Sequence, residues 1–133
     1  MIRFTLDGTA FRTLEEFAAH FSLQVLNGYE WQGNLDAFND ILRGGFGTPD
    51  DGFEIVWLHS DESRKQLGYL ETVRQLELRL SRCHPDNRSA VTAELHAARS
   101  GRGSTVFDWI VELLRIHGPG GGEQEDNVRL TLQ

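Results

Sequence analysis

Residues 53–59 read Phe-Glu-Ile-Val-Trp-Leu-His, a run whose middle is continuously apolar. This is the pattern of a strand enclosed within a sheet, and it places a central strand near the middle of the chain. Two other strand patterns lie far from it. Residues 2–6 put Ile2, Phe4 and Leu6 on one face, and residues 127–132 alternate through Val128, Leu130 and Leu132. Helical periods fill both intervals. Thr13, followed by Glu16, reads as a capping box ahead of the stripe Leu14, Phe17, Ala18, Phe21 and Val25. Asn34 caps a second helix that runs to about Arg43 and stops at Gly44, Gly45 and Gly47. Asp61 or Ser63 caps a long third helix to about Arg82, with Leu67, Leu70, Val73, Leu76 and Leu80 along one side. Pro85 breaks it. A shorter helix follows over about 88–99, and Ser104 or Thr105 opens a last one to about Ile116.

Strands separated by helices are joined by crossovers and run parallel. The expected fold is therefore α/β and two-layered. It has a three-stranded parallel sheet, the second strand central, with helices mostly on one face. At 133 residues, with no repeat and no obvious linker, the chain reads as a single domain over residues 1–133.

Charge narrows the function classes. Acidic residues number 20 against 13 Lys plus Arg, a formal net charge of −7. Such a surface repels phosphate backbones, so direct nucleic-acid binding is not expected and a basic protein is the natural complement. No stretch approaches the roughly 20 apolar residues of a membrane span, and the alternating first residues do not form a secretory signal. The one cysteine, Cys83, cannot form an intrachain disulfide. A reducing cytoplasm is the expected compartment.

The second helix concentrates the acidic character. Leu35, Phe38, Ile41 and Leu42 point one way; Asp36, Asn39, Asp40 and Arg43 point the other. Asp36 and Asp40, spaced i,i+4, are neighbours on one exposed face. Residues 28–54 hold Glu30, Asp36, Asp40, Asp50, Asp51 and Glu54 against Arg43 alone. Tyr29, Trp31 and Phe46 flank this surface at loop positions. The arrangement fits a binding patch, and equally a solvated face with aromatic lids on the core. Other groupings carry less. Cys83-His84 with His96 lacks metal-ligand spacing. His59-Ser60-Asp61 are consecutive and cannot form a catalytic triad. Gly101-Arg102-Gly103-Ser104-Thr105 lacks the Lys of a phosphate loop. Glu123, Glu125 and Asp126 would repel phosphate from the Gly118–Gly122 loop. No metal or cofactor is expected.

The segment Gly33-Asn34-Leu35-Asp36-Ala37-Phe38-Asn39-Asp40-Ile41-Leu42, preceded by an aromatic loop, resembles the barstar family of ribonuclease inhibitors. Thr105-Val106-Phe107-Asp108-Trp109-Ile110-Val111-Glu112 is similar to the family's last helix. The resemblance covers residues 1–60 and 104–133, and sets residues of about 62–103 apart as a helical insertion. It implies a small parallel sheet flanked by helices. It also implies an intracellular inhibitor, monomeric when free, that plugs the active site of a barnase-like secreted bacterial ribonuclease. In that family an acidic helix and the loop before it pair with the Arg, Lys and His side chains that would hold RNA phosphate. Asp36 and Asp40 match the helix's two aspartates, and Asp40 matches the one that enters the phosphate site. Gly44 matches a glycine after the helix, and Glu112 an acid of the last helix that faces the nuclease. The family's tyrosines before the helix are Glu30-Trp31 here, with Tyr29 one residue earlier. A tryptophan on the binding helix is Asn39, and one after it is replaced by Gly45-Phe46. The implied partner-binding set is thus Tyr29, Glu30, Trp31, Asp36, Asn39, Asp40, Gly44 and Glu112. Two alternatives remain. One is an immunity or interaction module on the same fold for a different basic toxin. The other is an enzyme built on Asp36, Asp40 and Glu112, disfavoured because catalytic carboxylates normally sit in clefts.

Overall fold

The computed structural model describes residues 1–133. Three strands, β1 (Arg3–Asp7), β2 (Phe53–Leu58) and β3 (Val128–Leu132), form one sheet in the order β1-β2-β3. Both pairings are parallel, with Leu6 opposite Trp57 and Ile55 opposite Leu130. Six helices accompany them: α1 (Leu14–Val25), α2 (Leu35–Arg43), α3 (Ser60–Gln66), α4 (Tyr69–Arg82), α5 (Arg88–Arg99) and α6 (Val106–Ile116). The expected fold class and central strand are observed.

Alternation sorts each strand. Leu6, Phe53, Ile55, Trp57 and Val128 are buried against the helices. On the other face Arg3, Thr5, Asp7, Arg129 and Thr131 are exposed, and Glu54, Val56 and Leu58 half-buried. No helix covers that face. The apolar run of β2 thus reflects shielding by its neighbouring strands as much as by helices. The core beneath the helical layer is aromatic: Phe17 stacks on Trp57 at 5.3 Å, and Phe21 meets Phe38 edge-on at 5.0 Å.

The long third helix is two helices. The chain turns at Leu67–Gly68, burying Leu67 in the main core and leaving Leu70 92% exposed. The Leu67 carbonyl accepts the Phe107 N–H at 3.1 Å, which a continuing helix would have used itself. Neither Asp61 nor Ser63 is the cap. His59, at φ 54°, precedes α3, and Ser63 is fully buried. Its Oγ accepts the Trp57 indole N–H at 3.0 Å and donates to the Gly8 carbonyl at 3.2 Å. Gly8 has no room for a side chain: a Cβ would lie 2.4 Å from the His59 carbonyl oxygen.

The α4–α5 pair has a satellite core of Leu76, Val91, Leu95 and Ala98. A carboxylate binds it to α1. Buried Glu71 accepts the Leu14 N–H at 2.8 Å and pairs with Arg74 at 2.6 Å, while Arg74 also pairs with Glu15. Thr13 caps α1 as expected, but Glu16 reaches back to the Arg12 N–H. Thr105 and Asp108 form a full capping box on α6.

Candidate partner-binding face

The nine residues of α2 are anchored at both ends and from beneath. At the start, the Asn34 side chain accepts the N–H groups of Asp36 (2.9 Å) and Ala37 (3.1 Å). Phe38, Ile41 and Leu42 are buried. At the end, Gly44 has φ 116°; nothing crowds its Cβ position, so the left-handed backbone alone selects glycine. This leaves Asp36 and Asp40 exposed, one turn apart. Asp36 has no ion-pair partner. Asp40 Oδ1 lies 2.8 Å from Arg43 Nη1.

Two residues of the expected set face inward. Trp31 is 4% exposed and stacks on Phe38, centroids 4.3 Å apart. Its indole N–H donates to the Asn34 carbonyl at 2.8 Å, so it supports the helix from below and does not offer a binding surface. Asn39 is half-buried, its Oδ1 2.6 Å from Nε2 of fully buried His117. It docks α2 against the end of α6. The others are at the surface. Tyr29 is 43% exposed and meets Phe46 edge-on at 5.0 Å, joining the loops before and after α2. Glu30 is exposed beside it. Glu112 is exposed on α6, on a shallow groove with Asp108, Arg115 and Pro119. A second groove of about 670 Å³ separates the start of α2 from α4; Asp36 stands on one side, Arg79 and Arg82 on the other.

Sequence reasoning missed the cluster beneath this face. His117 Nδ1 lies 2.6 Å from Asp126 Oδ2, and its Nε2 3.3 Å from Glu123 Oε2. Arg43 Nη2 reaches Glu123 Oε1 at 2.8 Å. Glu123 first, and then Asp40, hold the Arg43 guanidinium protonated beyond its ordinary range. One signal was available: His117 follows Ile110 and Leu114 at helical spacing, so it continues the buried stripe of α6. His117, Glu123 and Asp126 each offer one possible ligand atom, and these atoms lie within 4.8 Å of one another. Both ring nitrogens already face oxygens and Glu123 carries Arg43, so the chemistry is that of a hydrogen-bonded clamp.

Fold and site define a small α/β protein that presents two helix carboxylates, Asp36 and Asp40, on its surface. The barstar (barnase inhibitor) family model matches residues 1–95, nearly three quarters of the chain. The chain belongs to the barstar family, a family of inhibitors. The matched span runs through α3, α4 and most of α5, the segment set apart above as an insertion, and leaves out α6 and β3. No curated protein and no solved structure matches the chain.

Proposed function

We propose that this protein binds a basic, barnase-like bacterial ribonuclease and occludes its active site with α2 and the loop before it. Membership of the barstar family supports the inhibitor class. The observation that carries the site is the fixed, outward pair Asp36 and Asp40 on a chain of net charge −7. Tyr29 and Glu30 extend the face on the loop side, Gly44 lets the chain leave the helix sharply, and Glu112 adds a carboxylate on α6. Trp31 and Asn39 act from below by fixing α2. The mechanism is steric blockade with charge complementarity: the carboxylates take the place of RNA phosphates among the nuclease's cations. Close charge pairs of this kind couple by roughly 1.5–7 kcal/mol, a range set partly by the barnase–barstar pair itself.

The test is titration into a barnase-like ribonuclease, with Asp36→Ala and Asp40→Ala beside the native chain. Stoichiometric inhibition is expected, weakened most by Asp40→Ala and next by Asp36→Ala, with circular dichroism and melting unchanged. Equal inhibition by all three would remove α2 as the site. No inhibition at micromolar protein would end the ribonuclease reading and direct pull-downs toward another basic toxin.

A further inference from the structure

Asp40, the aspartate expected to meet the partner's phosphate-binding cations, already touches a cation of its own chain. Arg43 lies one turn further along α2 and forks between two carboxylates. Nη1 reaches Asp40 Oδ1 and Nη2 reaches Glu123 Oε1, each at 2.8 Å; Nε also donates to Glu123 Oε1 at 2.8 Å. The two arms are unequal. Glu123 takes two of the three contacts, and its side chain is 29% exposed against 63% for Asp40. An ion pair partly withdrawn from water is screened less than one standing in it. Glu123 is also held in place. Its Oε2 lies 3.3 Å from Nε2 of His117, whose ring is fixed between Asp126 and Asn39 at 2.6 Å each.

We propose that Glu123 is a positioning residue of the α2 face: it retains Arg43 and so leaves Asp40 open to a partner's cation. The proposal rests on the inhibitor reading above. Without Glu123, nothing would draw Arg43 away from Asp40, and a guanidinium prefers to grip a carboxylate with both nitrogens. A partner's Arg or Lys would then have to displace it. With Glu123 present, Asp40 Oδ2 stays unoccupied in the free protein. When a partner cation arrives, Arg43 keeps a counter-charge beside it, which offsets repulsion between the two cations. The occupant favoured at Asp40 is a side chain that engages through the open oxygen.

The experiment measures affinity for a barnase-like ribonuclease at low ionic strength. It compares the native chain with Asp40→Ala, Glu123→Gln, Arg43→Ala and the Glu123→Gln/Arg43→Ala pair. Glu125→Gln, an exposed residue with no partner, matches the loss of charge. Asp40→Ala is expected to weaken binding at least about tenfold. Glu123→Gln should weaken it about two- to fivefold, the scale of a partly exposed ion pair. Arg43→Ala should bind at least as well as the native chain, and adding Glu123→Gln to it should change nothing further. Glu125→Gln should bind as the native chain does. If Glu123→Gln is silent, or weakens binding equally with Arg43 absent, or no more than Glu125→Gln does, the proposal is overturned and the inhibitor reading stands. If the native chain does not bind, or Asp40→Ala binds unchanged, the inhibitor reading falls and takes this one with it.

Discussion

Trp31 contributes from beneath the helix it precedes. Its ring fills the space under Phe38, and its indole N–H ties the carbonyl of the residue that caps α2. Trp31→Ala should cost about 3–5 kcal/mol in urea unfolding. It should also weaken partner binding, although the side chain never reaches the surface. His20 sets a pH limit on stability. Its Nε2 accepts the Asp7 N–H at 3.0 Å, and burial lowers its proton affinity below the ordinary 6.5, partly offset by Asp7. The unfolded chain therefore takes up this proton first. Stability from this group is complete above about pH 6.5 and falls as pH drops below it. Urea midpoints measured between about pH 7.5 and 5 should show the decline, and His20→Gln should flatten it. An unchanged slope would exclude His20 as its source. At this scale sequence reading reached the outward carboxylates, because helical period alone fixes their direction. It left Trp31 open between surface and core lid, and it turned Asn39 outward because that side chain's partner is tertiary: Asn39 meets His117, 78 positions away, and no local pattern carries that contact.

Element boundaries were legible where the signal was chemical. Asn34 and Thr105 cap where their side chains dictate, and glycines end α2 where a left-handed residue is needed. The break between α3 and α4 was not legible, because Leu67-Gly68 differs from a tolerated helical glycine only through what Leu67 packs against. Ser63 shows the same limit. Near a helix start it resembles a cap, yet it serves the Trp57 indole across the core. Ser63→Ala should leave that N–H unpaired and cost about 1–3 kcal/mol, read as a fall in melting temperature. Leu76→Ala should cost about 2–5 kcal/mol by opening the satellite core. Amide exchange should then rise in α4 and α5 and stay slow in α2.

For the whole molecule, the order of strand and helix patterns was enough to give a parallel sheet, since crossover connections leave little else. The sheet draws β1 and β3 from opposite ends of the sequence onto β2, and the Ser60 N–H donates to the Gln133 carbonyl at 2.8 Å. We infer that residues 1–133 fold as one unit, and a single coincident transition by near- and far-ultraviolet circular dichroism is the expected outcome. Two separated transitions would show that α4–α5 melts on its own. Net charge acts at the same scale. Association with a basic partner should slow as salt rises, with dissociation changing less; salt-independent association would count against steering.

The three tryptophans have a spectroscopic consequence. Trp31 lies under α2, Trp57 lies in the sheet against α1, and Trp109 is half-buried between α6 and the satellite core, beneath the Arg79 guanidinium. Each indole occupies a different joint of the molecule. Variants retaining one tryptophan at a time would turn fluorescence into three separate position readings: α2, the sheet, and the attachment of α4–α5.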